Sequence, residues 1–165
     1  MRTKKLTLGL LIFYLIALTW IVVFKMQFSI ADLPHFRSVN LIPFSGSVII
    51  NGQIYFSEII ENVLAFIPFG LFIHILWQEK PLLKQLAPII ATSLLFEVFQ
   101  FIFSVGGTDI TDIITNSLGG IIGIFIAIFI YKISNKYWIK FINILSLIGA
   151  IFLVLFIAIL LFANM

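Results

Sequence analysis

Five apolar stretches, each about 20 residues long, divide this chain, and a helix of that length crosses the hydrocarbon core of a bilayer. The stretches lie near Leu6–Phe24, Glu58–Trp77, Leu86–Val105, Asp112–Tyr131 and Ile142–Phe162. In lipid a chain must satisfy its backbone groups internally, and a helix does so within one segment. We therefore predict an all-α fold, a polytopic transmembrane helical bundle of about five helices, with residues 1–165 forming a single membrane domain.

Composition supports a membrane protein, because 62% of the 165 residues are hydrophobic and only 10% are charged. Globular domains average about 45–50% apolar and about 25% charged residues. The chain has no cysteine, which excludes disulfides, thiolate nucleophiles and Cys-ligated zinc. The first stretch is longer than the apolar region of a signal peptide, about 7–15 residues, so we interpret it as a retained helix. The alternative is a cleaved signal, with Ser29-Ile30-Ala31 as a small-x-small cleavage site.

The basic residues predict the orientation of the bundle. If the five helices alternate in direction, one side holds Arg2, Lys4, Lys5, Lys80, Lys84, Lys132, Lys136 and Lys140, and the other holds only Lys25 and Arg37. The positive-inside rule then places the N-terminus in the cytoplasm and the C-terminus outside. The connection from Lys25 to Ser57 and a short turn from Gly106 to Thr111 become external. Since topology explains the net charge of +3, no nucleic-acid partner is predicted.

Polar residues cluster in the predicted outer halves of the second, third and fourth helices. Spacings of three and four residues place the polar side chains of each helix on one face. A charge at this depth costs roughly 2.5–3.5 kcal/mol and therefore usually faces the bundle interior or water. We predict a shared outward-facing pocket; the alternative is a set of polar contacts that hold the helices together. The residues are Glu58, Glu61, Asn62, Glu97, Gln100, Asp109, Asp112, Thr115 and Asn116.

Glycines continue the polar face of the fourth helix toward the inner half of the membrane. Gly119, Gly120 and Gly123 contain the G-x-x-x-G spacing. This spacing allows a neighbouring helix to approach closely in a membrane. We therefore predict that the fourth helix packs tightly against a partner along this face.

Carboxylates dominate the predicted pocket. Crowded carboxylates must hold protons, share hydrogen bonds with amides, or bind a cation. Oxygen ligands suit Mg²⁺ or Ca²⁺, but the sequence contains no metal-ligand motif. Metal and cofactor therefore both stay undetermined.

Four motif blocks carry a resemblance to a known family. They are R-S-V-N-L-I-P-F (Arg37–Phe44), E-N-V-L-A-F-I-P-F-G (Glu61–Gly70), E-V-F-Q (Glu97–Gln100) and T-D-I-T-D-I-I-T-N-S-L-G-G (Thr108–Gly120). In their order and spacing the chain resembles the VanZ-like family, membrane proteins named for a teicoplanin-resistance determinant of Gram-positive bacteria. The resemblance covers residues 37–131 and implies a multi-pass protein of the bacterial cell membrane associated with lowered susceptibility to teicoplanin-type antibiotics. Residues 142–163 form an additional C-terminal transmembrane helix outside this core.

Motif positions and predicted depth select largely the same side chains. The predicted binding residues are Arg37, Asn40, Glu58, Glu61, Asn62, Glu97, Gln100, Asp109, Asp112 and Asn116. The resemblance does not assign a biochemical activity to these residues.

Three function classes fit these residues unequally. The first is a binding protein for membrane lipids or a lipid-linked cell-envelope precursor, with Arg37 pairing with phosphate. The second is an intramembrane enzyme, a hydrolase or transferase in which Glu97 or Asp112 acts as general base on a lipid-linked phosphate substrate, with or without a metal. The third, a transporter, is disfavoured because Ile121–Ile130 offers no polar lining across the inner half of the membrane. We favour the first; the oligomeric state stays open.

Overall fold

The computed structural model describes residues 2–24, 27, 36–45, 49–50, 53–54 and 56–163. This part of the chain contains five α-helices, and all five are long and apolar enough to cross a membrane. The predicted all-α polytopic bundle is therefore confirmed. Lys25, one of the two basic residues predicted to be external, lies outside the described residues. The helices are α1 (Arg2–Val22), α2 (Ser57–Leu76), α3 (Leu82–Phe103), α4 (Ile110–Ser134) and α5 (Trp138–Ala163).

The centre of the bundle is the contact between α2 and α4. A Cβ atom added at Gly119 would overlap the carbonyl oxygen of Val63, and one added at Gly123 would overlap the carbonyl oxygen of Ile67. Because glycine has no Cβ atom, the backbones of α2 and α4 lie directly against each other at these positions. The predicted close approach along the glycine face of α4 is confirmed, and the partner is α2.

Aromatic side chains fill the core around this contact. Phe66 of α2 and Phe96 of α3 are buried and meet edge to face, with ring centroids 6.2 Å apart. Leu18 of α1 is buried in the same cluster. Tyr14 of α1 also donates a hydrogen bond to the carbonyl oxygen of Ala65 in α2. α1 is therefore attached to α2 by both apolar and polar contacts.

A parallel pair of strands at one end of the bundle was not predicted. β1 (Phe36–Asn40) pairs with β4 (Val105–Asp109), from Phe36 opposite Val105 to Asn40 opposite Asp109. The sequence had indicated only a turn here, but Ser104 ends α3 in the left-handed region with φ 57°. The residues that follow, which form β4, then run extended beside β1, and this pairing gives their backbone N–H and C=O groups hydrogen-bond partners. A short antiparallel pair joins β2 (Ile49–Ile50) and β3 (Gln53–Ile54).

The β1–β4 pair shows that two connections lie at the same end of the bundle, which we call the strand end. These are the α1–α2 and α3–α4 connections, as alternation of the helices requires. At the opposite end, the side chain of Gln85 closes the α2–α3 connection. Its Nε2 donates to the carbonyl oxygen of Lys80 at 2.7 Å, and its Oε1 lies 2.9 Å from Nδ1 of His74.

Within the described part of the chain, the buried side chains of α5 lie near its N-terminus. Trp138 and Ile142 are buried there. The Nδ2 atom of Asn143 donates to the carbonyl oxygen of Thr3 at 3.0 Å, and Oγ1 of Thr7 lies 2.9 Å from Oδ1 of Asn143. Beyond Asn143, no described side chain of α5 is buried. Ala150 and Leu153 of this segment line an open groove together with Leu10 and Ala17 of α1.

Candidate functional site

A cavity of about 520 Å³ lies at the strand end of the bundle. We call it the acidic cavity because four carboxylates line it. Of the ten predicted binding residues, seven line this cavity, and Arg37, Glu97 and Asn116 do not. The described lining residues are Ile21, Val22, Ser38, Asn40, Glu58, Glu61, Asn62, Ala65, Gln100, Gly107, Thr108, Asp109 and Asp112.

Two amide–carboxylate pairs hold the wall of the cavity together. The Nδ2 atom of Asn62 in α2 donates to Oδ1 of Asp112 in α4 at 2.8 Å. The Nδ2 atom of Asn40 in β1 donates to Oδ2 of Asp109 at 2.9 Å. Each pair joins two different elements, so these carboxylates share hydrogen bonds with amides, one of the arrangements expected from the sequence.

Glu58 and Glu61 differ from these paired carboxylates. Both lie on the first turns of α2, where their side chains are exposed and line the cavity. Neither makes a side-chain hydrogen bond or an ion pair within the described part of the chain. They are therefore the carboxylates best placed to meet a ligand.

Asp109 also starts α4. It directly precedes Ile110, and its Oδ1 accepts a hydrogen bond of 2.7 Å from the backbone N–H of Thr111. This is the geometry of an N-cap, which satisfies a backbone donor that the first turn of a helix leaves free. Asp109 therefore fixes the direction in which Asp112, one turn later, meets the cavity.

Asn40 and Thr111 hold the turn that follows β1. Oδ1 of Asn40 accepts from the backbone N–H of Ile42 at 3.1 Å and lies 2.8 Å from Oγ of Ser45. The backbone N–H of Phe44 donates to Oγ1 of Thr111 at 2.9 Å. The motif block from residue 37 to 44 thus has a structural role, since it attaches the turn to the start of α4.

Glu97 is buried behind this arrangement, with 2% of its surface exposed. Its Oε2 accepts a hydrogen bond from the backbone N–H of Asp109 at 2.9 Å, and its carbonyl oxygen accepts one from Oγ1 of Thr108 at 3.2 Å. Glu97 therefore fixes β4 and the start of α4 on α3. In this geometry it positions cavity residues and does not itself line the cavity.

Arg37 lies on the other face of β1. Alternate residues of a strand point to opposite faces, and Ser38 and Asn40 are the residues that line the cavity. Nη2 of Arg37 donates to the carbonyl oxygen of Ile102 at 3.0 Å, and the guanidinium lies 5.4 Å from the centroid of the Phe101 ring. The structure thus places Arg37 on the end of α3, outside the cavity where we expected it to meet a phosphate.

Two buried amides connect neighbouring helices near the cavity. Nδ2 of Asn116 donates to Oγ of Ser93 at 2.9 Å, which joins α4 to α3. Nε2 of Gln100 donates to the carbonyl oxygen of Val22 at 3.1 Å, which joins α3 to α1. The side-chain oxygens of both amides are buried and have no hydrogen-bond partner among the described residues.

Sequence reasoning missed Ser38, Gly107 and Thr108 as wall residues. They lie on β1 and β4, and only the pairing of these strands brings them to the cavity.

The hypothesis of a bound metal gains no support from carboxylate geometry. Within the described residues, no group of three or more His, Cys, Asp or Glu side chains is arranged to hold a metal ion.

The fold and the cavity define a polytopic membrane protein with a carboxylate-lined cavity at one end of its helical bundle. The sequence profile of the VanZ/LLP1 family matches residues 11–131, and the chain belongs to this family. It is 44% identical over 136 residues to Protein VanZ of Enterococcus faecium, an alignment that covers 81% of this chain and 78% of that protein. No solved structure gives a significant match.

The family match contains every described residue of the acidic cavity. It begins within α1, so it includes Ile21 and Val22 of the cavity wall as well as the motif blocks. It ends at Tyr131 in α4, and α5 lies beyond it. The matched segment therefore corresponds to the four helices that form the cavity.

Proposed function

We propose that this protein binds a lipid or lipid-linked component of the bacterial cell envelope in the acidic cavity and thereby lowers susceptibility to teicoplanin-type antibiotics. As a multi-pass protein of the bacterial cell membrane, it would act where such components reside. The observation that carries the proposal is the convergence of polar side chains from β1, α2, α3, β4 and α4 on one cavity. Membership of the VanZ/LLP1 family supports the link to resistance.

The size and position of the cavity suit the polar end of an amphiphile. Ligand pockets commonly measure about 300–1,000 Å³, and this cavity measures about 520 Å³. It lies at the ends of membrane-spanning helices, the level at which lipid headgroups meet water. Its wall combines the apolar side chains of Ile21, Val22 and Ala65 with the carboxylates of Glu58 and Glu61, so both parts of an amphiphile find matching contacts.

An enzymatic function has less geometric support. Glu97, one candidate general base, does not line the cavity. Its Oε2 already accepts a hydrogen bond from the backbone N–H of Asp109. Asp112, the other candidate, lines the cavity, and its Oδ1 accepts a hydrogen bond from Asn62. A catalytic version of the proposal would therefore depend on Asp112.

Antibiotic susceptibility in a teicoplanin-sensitive Gram-positive host tests the proposal. The host expresses the wild-type chain, the double variant Glu58→Gln/Glu61→Gln, Asp112→Asn, or Glu79→Gln, and the amount of each protein in the membrane is measured. Glu79 is an exposed glutamate in the connection between α2 and α3, at the opposite end of the bundle, which makes it a matched control.

We expect wild type and Glu79→Gln to raise the inhibitory concentration of teicoplanin, and the cavity variants to raise it less at equal abundance. Equal protection by wild type and all variants would show that the cavity carboxylates have no part in resistance. No protection by the wild type itself would contradict the resistance part of the proposal.

A further inference from the structure

The open groove between α1, α2 and α5, which we call the apolar groove, measures about 320 Å³. Its described wall carries no charged side chain, and only Tyr14 and Ser146 among those residues have a polar one. All three helices are long and apolar enough to span a membrane, so the medium beside the groove is hydrocarbon. A polar headgroup would find few partners here, whereas a hydrocarbon chain matches the wall.

Small residues of α5 make room for this groove. In lipid, small residues usually allow two helices to approach closely, as Gly119 does against Val63. A Cβ atom added at Gly149 would instead meet nothing within 4 Å, although Gly149 lines the groove. The space beside it therefore lies open between helices, and an empty space would forfeit the dispersion contacts of its walls. Hydrocarbon from the surrounding lipid is the material available to fill it.

The apolar groove continues the acidic cavity along α1 and α2. On α1, Ala17 lines the groove and Ile21, one turn later, lines the cavity. On α2, Pro68 lines the groove and Ala65, one turn earlier, lines the cavity. At the border, Tyr14 lines the groove, and its hydroxyl donates to the carbonyl oxygen of Ala65. Because one helical turn rises only about 5.4 Å, the two sites adjoin.

The combined length of the two sites corresponds to one leaflet of the bilayer. Glu61 of α2 lines the cavity and Phe72 of the same helix lines the groove, and the helix rises about 16 Å between them at about 1.5 Å per residue. The hydrocarbon core is about 30 Å thick, so this rise is close to the depth of one leaflet. A helix with its side chains is about 10–12 Å wide, which is too wide to enter the groove. A single lipid chain fits better than a second protein segment.

We propose that the apolar groove binds one acyl chain of the lipid whose polar end lies in the acidic cavity. The inference rests on the proposed function for the polar end, and it narrows the ligand to an acyl lipid of the leaflet at the strand end. Lipid tails are as apolar as the wall, so the groove by itself supplies little affinity. The headgroup holds the lipid, and the groove fixes the position of its chain.

Photo-crosslinking from the acyl chain tests this in the membrane. Bacteria that express the protein are fed a fatty acid with a diazirine in its hydrocarbon chain, so that their lipids carry the label whatever their headgroup. After irradiation the protein is purified, and its adducts are located by tandem mass spectrometry. We expect adducts on groove residues of all three helices, namely Phe13, Leu71 and Ala150. Their yield per exposed area should exceed the yield on Ile144, an exposed residue of α5 outside the described lining of the groove.

Two variants that fill the groove sharpen the test. Gly149→Phe and Ala150→Phe each place a ring in this space, so they should lower the yield of adducts on Phe13 and Leu71 several-fold. Ile144→Phe is the matched control on the same helix and should leave that yield unchanged. Since a side chain at position 149 starts in open space, Gly149→Phe should fold normally, which circular dichroism would check. Equal yields on the groove and on Ile144 in the wild type, or unchanged groove yields in both filling variants, would overturn the inference.

The double variant Glu58→Gln/Glu61→Gln separates this inference from the proposed function. If groove adducts form in the wild type and persist in the double variant, the acyl-chain site stands and the proposed role of the acidic cavity fails. If the double variant loses antibiotic protection but the wild type gives no groove adducts above the level of Ile144, the proposed function stands and the acyl-chain site fails.

Discussion

The buried carboxylate of Glu97 accepts a hydrogen bond, 2.9 Å long, from the backbone N–H of Asp109. The side chain of Asp109 in turn accepts from Thr111 and from Asn40. One carboxylate on α3 therefore fixes the residue that starts α4 and pairs it with β1. The position of the cavity wall depends on Glu97, although Glu97 is not part of that wall.

Replacing Glu97 tests this positioning role. Glu97→Ala leaves the partly buried N–H of Asp109 without its acceptor, so we expect it to lower the free energy of unfolding by about 1–3 kcal/mol. Glu97→Gln retains an acceptor oxygen and should cost clearly less. Unfolding in detergent, followed by circular dichroism during titration with a denaturing detergent, measures both. Equal losses for the two variants would show that the hydrogen bond to Asp109 is not what matters at this position.

The glycine contact between α2 and α4 makes a second prediction. Gly119→Ala places a methyl group against the backbone of Val63, and backbone atoms in a packed helix pair move only at a cost, typically about 1–3 kcal/mol for an overpacked site. Gly149→Ala is the matched control, because a Cβ atom there has nothing within 4 Å. The thermal stability of the purified protein should fall for Gly119→Ala and stay unchanged or rise slightly for Gly149→Ala. A similar change in both would contradict close packing at Gly119.

Hydropathy and spacing were sufficient to predict the helices and the face of α4 that packs on α2. The physical reason is that the bilayer imposes a length on each helix, and small residues mark close contact between helices in lipid. The depth of polar residues likewise grouped six of the side chains that line one cavity, and the motif block added Asn40 as the seventh. Both signals are local in sequence and need no knowledge of how the connections fold.

The connections themselves could not be predicted in this way. β1 and β4 are five residues each and are separated by two helices, and β4 contains Gly106 and Gly107, so neither shows a clear hydrophobic pattern. Because their pairing was missed, Arg37 was grouped with Asn40, whereas strand alternation puts it on the opposite face. The position of Glu97 behind the cavity wall was missed for a related reason, since its partner is the backbone N–H of Asp109 and a backbone partner cannot be identified from the residue type.

The orientation of the bundle makes a third prediction, which the absence of cysteine from the chain makes simple to test. Leu41 is 70% exposed at the strand end. Leu41→Cys should react with a membrane-impermeant thiol reagent added to intact cells. Lys136→Cys and Glu79→Cys, at the opposite end, should react only after the membrane is permeabilised. The reverse pattern would place the acidic cavity on the cytoplasmic side and contradict the positive-inside assignment.

The attachment of α5 makes a fourth prediction. Asn143→Ala removes the contacts of this buried amide with Thr3 and Thr7, and polar contacts between membrane helices contribute about 0.6 kcal/mol on average, up to about 1.7 kcal/mol. We expect a small loss of stability together with faster proteolysis in the connection between α4 and α5. Because α5 lies outside the family match and does not line the acidic cavity, the effect of Glu58→Gln/Glu61→Gln on ligand binding should be the same in this background. Loss of that effect in Asn143→Ala would give α5 a role in the acidic cavity that the geometry does not indicate.

The most direct test of the central claim is to identify the lipids that remain bound when the protein is purified from bacterial membranes. Wild type, Glu79→Gln and Glu58→Gln/Glu61→Gln are purified in parallel in a mild detergent, and their bound lipids are measured by mass spectrometry. We predict one class of envelope lipid that is enriched over its abundance in the membrane in wild type and Glu79→Gln, and reduced to that abundance in the double variant. The same lipid profile in all three proteins would contradict the claim that the acidic cavity binds an envelope component.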